Sequence, residues 1–334
     1  MRIDVHAHIV DRDYLDRLSR KLGLSPERDG DKILLRLGGH TVAWFREPMF
    51  DTVAALHDMD ALSIDMRLLS LSTPNVYPWS GTAEADIACI INDRTADICR
   101  AYPERFRGLA SLPLGNIGAA LAEMKRACDG LGMVGIAIGS NIAGRPLNDP
   151  GFEPIWAELN RRRIPAFIHP MFPANTSGMD EFELPLRLGF PFDTTMAATR
   201  LIYSGVLERH PHLTFVLAHT GGALLTLFER LDNGYHLFPD CRAYISQPPS
   251  RFARRFFYDT TSFSTETLTM AHRMVGADRL LFGTDAPFIG AGADHVLRLG
   301  LSQADTASIL GGNAGKLFRL TSGEATSHRE EILP

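Results

Sequence analysis

Ile164-Pro165-Ala166-Phe167-Ile168-His169-Pro170 is an apolar run that closes on a single histidine. Consecutive apolar positions without polar alternation read as a strand buried on both faces, as in a parallel sheet. The same reading repeats along the chain at Ile3–Ile9, Met66–Leu71, Phe106–Ser111, Met133–Ile138, Leu213–His219, Phe256–Asp259 and Arg279–Thr284. Between these runs lie stretches with helical spacing. Asp86–Arg100 sets Ile87, Ile90, Ile91, Thr95 and Ile98 along one stripe. Leu114–Asp129, Phe152–Arg163, Thr194–Arg209, Ala223–His236 and Thr265–Val275 behave alike. Asp193 is a candidate N-cap ahead of Thr194–Arg209. Eight strands alternating with helices predict an α/β fold of the (β/α)8 TIM-barrel type. An open doubly wound sheet is the competitor, and the lack of a glycine-rich phosphate loop after the first strand counts against it.

Two stretches interrupt the alternation. Residues 10–50 hold a helix-like piece, Asp13–Leu22, and a hairpin-like piece, Ile33–Phe45, with Gly38-Gly39 at its turn. They read as a small helix-hairpin insertion after the first strand. Residues 170–192, rich in Pro, Gly, Met and Phe, read as a long loop after the fifth strand, where barrels carry their active sites. The domain reading is one barrel over residues 1–320, with the insertion at 10–50 and a polar, frayed tail at 321–334.

The net charge of −5 and the absence of any long Lys/Arg run argue against nucleic acid as a partner. The densest basic group, Arg161-Arg162-Arg163, falls at a predicted helix end, where it complements the helix dipole. Cys89, Cys99, Cys128 and Cys241 lack CxxC spacing and read as reduced, mostly buried thiols. With no apolar leader and no membrane-length span, the expected location is the cytoplasm, away from membranes.

His6-Ala7-His8 puts two imidazoles on one face of the first strand, because side chains at i and i+2 of a strand point the same way. Imidazole is a common ligand for zinc and similar ions. His169 and His219 each close an apolar run, and Leu280-Leu281-Phe282-Gly283-Thr284-Asp285 closes on an aspartate. Barrel closure brings strand ends to one mouth, so these residues are expected to meet around a divalent metal. His40, His57, His210, His212, His236, His272, His295 and His328 close no apolar run and read as structural or surface histidines.

These motifs, with His219 followed by Gly221-Gly222 and with Gly283-Thr284-Asp285-Ala286-Pro287-Phe288, resemble the amidohydrolase superfamily. Phe106-Arg107-Gly108-Leu109, Gly132–Gly139 and Arg200–Arg209 resemble its branch of aminocarboxymuconate-semialdehyde decarboxylase and aromatic-acid decarboxylases. The resemblance runs from Met1 to about Leu320 and implies His6, His8, His169 and Asp285 as ligands of one divalent ion, Zn2+ first and Mn2+ as the alternative. The fourth strand, Met133–Ile138, offers no lysine or acid to bridge a second ion.

The resemblance further implies His219 and Asp285 as catalytic proton carriers and Arg230 as a substrate-carboxylate clamp reaching a neighbouring subunit, hence a homodimer or higher oligomer. Arg46, Met171, Phe172 and Phe288 are the other expected substrate-binding residues. The implied reaction is non-oxidative decarboxylation of an aromatic or unsaturated carboxylic acid, a small-molecule substrate. The alternative is a hydrolase or hydratase that turns activated water on a lactone, ester, amide or enol acid.

Overall fold

The computed structural model describes residues 1–37 and 40–320. The chain opens with β1 (Ile3–His8) and a helix, Arg12–Leu22, then forms β2 (Glu27–Asp29), β3 (Lys32–Leu37) and β4 (His40–Arg46). After the helix Thr52–Ala61 come β5 (Met66–Ser70), β6 (Phe106–Ser111), β7 (Gly135–Gly139), a short pair β8 (Asn141–Ile142) and β9 (Arg145–Pro146), and β10 (Ala166–His169). β11 (Phe215–Leu217), β12 (Phe257–Asp259) and β13 (Leu280–Leu281) complete the series.

Eight strands pair in parallel in the order β1-β5-β6-β7-β10-β11-β12-β13. The last returns to the first: the Val5 N–H donates to Phe282 O at 3.0 Å and the His8 N–H to Ala286 O at 2.7 Å. Closure leaves the sheet no unpaired edge, and the (β/α)8 barrel of the sequence reading is the result. Its interior is packed by Met66, Leu68, Leu109, Phe167, Val216 and Leu281, and Phe318 and Leu320 plug it from below. The alternate residues of the same strands, such as Ile136, Ile138, Ile168, Phe215 and Leu217, pack outward under the helices. Burial on both faces is why these strands read as continuous apolar runs.

β1 departs from simple alternation. Asp4 pairs with Arg67 and Ala7 with Leu69, so three steps on β1 face two on β5, which is a bulge. Ile3 and Val5 belong to the barrel interior. Past the bulge the phase is reversed, and His6 and His8 turn inward while Ala7 packs outward. Asp4 holds the bulge. Its carboxylate accepts from the His6 N–H at 3.1 Å, the Thr284 N–H at 3.0 Å, the Thr284 hydroxyl at 2.6 Å and Arg67 Nε at 3.1 Å.

Local chemistry explains the helix ends. Asp11 and Asp51 cap their helices by accepting from the Asp13 N–H and from the Val53 and Ala54 N–H groups. Ser264 accepts from the Thr267 N–H ahead of Thr265–Val275. Asp193 is not the N-cap that the sequence suggested: it lies inside the helix Phe190–Tyr203, and its carboxylate instead accepts from Ser140 and Asn141. The expected helix 194–209 is two pieces, since Gly205 takes a left-handed φ of 74° between Phe190–Tyr203 and Val206–Arg209. The stretch 223–236 begins with a 3-10 turn at Leu225–Leu227 and becomes α-helical only at Phe228–Leu237.

Arg161 pairs with Glu158, and Arg162 with Asp129, at the end of Glu153–Arg162. The four cysteines are free thiols but only partly buried. No helix among the described residues is long and apolar enough to cross a membrane.

β2, β3 and β4 form an antiparallel sheet, of which the sequence suggested only the β3–β4 pair. Ile33, Leu35 and Phe45 pack into the outer core, and Leu34 and Trp44 face a cavity at the barrel mouth. Gly38 and Gly39, expected at the turn, and the tail at 321–334 with His328 lie outside the described residues.

Removing Asp4 leaves the buried Arg67 with only the half-exposed Asp58. Asp4→Ala should therefore lower unfolding stability by about 3–5 kcal/mol in urea titration. A loss below about 1 kcal/mol would mean the bulge does not depend on this carboxylate.

Candidate metal centre and active-site cavity

β1, β10 and the segment after β13 deliver His6, His8, His169 and Asp285 to the C-terminal mouth of the barrel. One ligand-type atom from each lies within 4.8 Å of every other. His6 Nε2 and His8 Nε2 stand 3.2 and 3.3 Å from Asp285 Oδ1. The imidazole centroids are 5.1 Å apart for His6 and His8, 5.2 Å for His6 and His169, and 4.9 Å for His8 and His169.

The opposite nitrogen of each ring is committed elsewhere. His6 Nδ1 meets Asp259 Oδ2 at 2.7 Å, His8 Nδ1 meets Ser70 O at 3.2 Å, and His169 Nδ1 meets Pro170 O at 3.0 Å. A ring that donates from Nδ1 keeps its Nε2 lone pair, and the Nε2 atoms of His6 and His8 converge on Asp285 Oδ1. His6 Nε2, His8 Nε2 and Asp285 Oδ1 are buried without a hydrogen-bond partner. Unpartnered buried polar atoms are costly, and three imidazoles with one carboxylate are a donor set suited to a divalent cation. The residues present fit such an ion.

The electrostatics agree. Burial works against charge on His6, but the Asp285 and Asp259 carboxylates outweigh it and push its pKa up to about 10. Burial and the neighbouring imidazoles hold His169 well below the usual histidine range, and burial likewise lowers His8. Burial opposes the charge on Asp285, yet His6, His219 and His8 together keep its carboxyl well below the ordinary range. The two carboxylates thus favour positive charge at His6, while His8 and His169 stay neutral.

Asp259, which the sequence reading did not single out, organises the centre. Oδ2 holds His6, while Oδ1 accepts from the Thr220 N–H at 2.9 Å, the Thr261 N–H at 3.1 Å and the Thr261 hydroxyl at 2.8 Å. The Thr261 oxygen in turn accepts from the His219 N–H. His219 and Thr220 take left-handed φ values of 54° and 55°, and Asp285 one of 56°. Each such conformation costs about 1–3 kcal/mol and persists only where its surroundings impose it. Gly283 makes room: a Cβ there would stand 3.2 Å from the Cβ atoms of both His6 and Asp259. The signal for Asp259 was available, since Phe256–Asp259 is another apolar run closed by an acid.

His219 stands beside the cluster, with Nε2 3.5 Å from Asp285 Oδ2 and Nδ1 buried without a partner. A cavity of about 650 Å3 opens over His169, His219 and Asp285. Phe172 and Phe288, both expected, line it with Trp44 and Phe190. Trp44 packs on Phe288 at 4.4 Å between ring centroids.

Three expected substrate residues lie elsewhere. Arg46 does not reach the cavity, because Asp31 and Pro287 O hold its guanidinium outside the roof. Met171 is buried behind it, against Gly139 and Thr73. Arg230 is exposed on Phe228–Leu237 and lines no part of this cavity in its own chain. Arg187, which drew no notice in the sequence, stands exposed at the rim with no ion-pair partner among the described residues. Only the tertiary fold brings it and Trp44 to the site.

A (β/α)8 barrel with three imidazoles and a carboxylate at the strand ends defines a metal-dependent barrel enzyme. The chain belongs to the amidohydrolase family, whose profile matches residues 3–320. It is 28% identical over 325 residues to 2-amino-3-carboxymuconate-6-semialdehyde decarboxylase of Dictyostelium discoideum, spanning 94% of this chain and 90% of that one. It is 34% identical over 285 residues to gamma-resorcylate decarboxylase of Rhizobium sp. strain MTP-10005, spanning 78% and 85%. The dihydroxybenzoic acid decarboxylase structure of Polaromonas sp. JS666, with bound manganese and the inhibitor 2-nitroresorcinol, superposes with a TM-score of 0.80 at 26% identity, covering 96% of this chain and 97% of that one.

Asp259→Asn replaces the acceptor facing His6 Nδ1 with a group that can donate. It should weaken divalent-metal affinity about 10- to 100-fold in chelator competition, with the circular dichroism spectrum unchanged. Unaltered affinity would remove Asp259 from the account of the centre.

Proposed function

We propose that this chain is a metal-dependent, non-oxidative decarboxylase of an aromatic or unsaturated carboxylic acid, of the hydroxybenzoate or aminocarboxymuconate-semialdehyde kind. The convergence of unpartnered Nε2 and carboxylate atoms beneath an aromatic-walled cavity carries this reading. The decarboxylase identity of the relatives supports it. In this proposal His6, His8, His169 and Asp285 hold one divalent ion. Their donor set suits Zn2+, and Mn2+ is the competing ion because the Polaromonas relative carries it.

When bound, the ion supplies fixed positive charge that stabilises negative charge developing on the substrate. The remaining demands fall on the chain. The bond between the ring and its carboxylate breaks, CO2 leaves, and the electron pair stays on the ring carbon. That carbon must then receive a proton. His219 is placed to deliver it, with Nδ1 free of other partners and Nε2 close to Asp285. Trp44, Phe172, Phe190 and Phe288 give a planar ring apolar walls and exclude water from the reacting carbon. Lys32, Arg36 and Arg187 all line the cavity; Lys32 pairs with Asp29 and Arg36 with Glu27, and Arg187, which has no ion pair among the described residues, is available to orient an anionic substituent.

CO2 release from a panel of hydroxybenzoates, with no hydrolysis of lactones or esters, is the expected outcome. Hydrolysis without CO2 would replace the proposal with the metal-dependent hydrolase reading. Asp285→Ala should abolish both bound metal, by elemental analysis, and CO2 release. His219→Asn should retain the metal while kcat falls about 10²- to 10⁴-fold. If His219→Asn lost the metal instead, the division between ligand and proton carrier would be wrong.

A further inference from the structure

A second hollow, of about 590 Å3, lies at the opposite end of the barrel, where strands begin rather than end. It is bounded by the residues preceding β10, β11, β12 and β13 and by the helix Asn313–Leu317 that plugs the barrel base. Arg163, Arg255, Arg279, Lys316 and Arg319 all line it, and among the described residues no carboxylate does. In a chain of net charge −5, five cations around one hollow is a concentrated field.

The arrangement of these cations is specific. Arg255 is anchored by the carbonyls of Leu207, His210 and Pro211 at 2.8, 3.3 and 2.9 Å, which fixes its guanidinium at the wall. Burial, and after it the like charge of Arg279, draw its pKa below the ordinary arginine value despite the opposing pull of Glu208. Arg279 lies over the Phe257 ring at 5.0 Å and has Asp278 at 3.3 Å. Arg163, Lys316 and Arg319 have no ion-pair partner among the described residues.

Arg163 and Arg319 both take a φ of 54°, each just beyond a helix C-terminus, a position that glycine normally fills. Helix dipoles can account for a cation at each of those helix ends. They do not account for Arg255 and Arg279, which precede strands, nor for a lining that carries no carboxylate among the described residues.

We propose that this basal hollow binds a small polyphosphate, an anion carrying at least two phosphate groups. Guanidinium groups match phosphate oxygens in two-pronged geometry, and four of the five cations are arginines. A single phosphate leaves part of the field uncompensated, whereas a chain of phosphates spans it. The site is separate from the metal centre, and its occupancy would brace the helix Asn313–Leu317 against the barrel base.

The test titrates the metal-loaded enzyme calorimetrically with magnesium tripolyphosphate, magnesium being in excess so that the metal centre is not stripped. One saturable site per chain is expected, with a rise in melting temperature above that given by sulfate at matched ionic strength. The double variant Arg163→Gln/Arg319→Gln should bind at least tenfold more weakly, with its circular dichroism spectrum and CO2 release unchanged. Three results would each overturn the proposal: a stabilisation that sulfate reproduces, equal binding by the double variant, or equally tight binding of duplex DNA, which would reveal a generic polyanion surface. Should the double variant misfold, Lys316→Gln, exposed on the plug helix, serves in its place, with at least a threefold loss of affinity expected and unchanged affinity counting against the site.

Discussion

Three imidazoles and a carboxylate are held out of water with their free atoms pointing at one another, and the rest of the barrel mouth is built around that arrangement. Left alone, such a cluster is unfavourable, since buried polar atoms without partners have lost hydration and gained nothing. The chain tolerates it because the outer atoms of the cluster are committed. Each Nδ1 has an acceptor, Asp259 ties His6 to the turn carrying His219, and Asp4 anchors the backbone between the two histidines of β1 and the segment before Asp285. The convergence is thus enforced from outside, which is how a protein preorganises a metal centre.

Closure and bulging share the geometric work. Closure of the ring brings β1 beside the segment after β13, so that Ala7 lies against Ala286 and Asp285 comes within reach of both histidines. The bulge decides which way those histidines face. Had β1 kept strict alternation, inward-facing Ile3 and Val5 would have sent His6 and His8 under the helices. A single extra residue, fixed by the Asp4 carboxylate, therefore allows one strand to serve the apolar barrel interior at its start and the polar mouth at its end.

The cavity is composed by a different route. Its floor comes from strand ends, its walls from Phe172, Phe190 and Phe288 after β10 and β13, and its roof from the antiparallel sheet β2–β4. The rigid barrel thus carries the four-residue cluster, while a separately built sheet roofs the cavity above it. The opposite face has other chemistry: helix ends and strand starts gather arginines around a hollow that the reaction at the mouth does not use.

The fold and the meeting of polar strand ends at one mouth were legible in the sequence because both depend on local pattern, while the setting of His219 apart from the other four came from the family resemblance. Strands buried on two faces must be apolar throughout, so a histidine or aspartate that closes such a run stands out against it. The aromatic pair Phe172 and Phe288 was readable for the same reason, through its position directly after those runs. The places of Asp193 and Arg46 were not legible because their side chains answer to partners that local pattern does not reveal, Ser140 and Asn141 in one case and Asp31 and Pro287 in the other. The inward aim of His6 and His8, the role of Asp259 and the placing of Trp44 and Arg187 in one cavity were decided by tertiary structure alone. Each depends on register, closure or packing between segments tens to hundreds of residues apart, and no local periodicity carries that information.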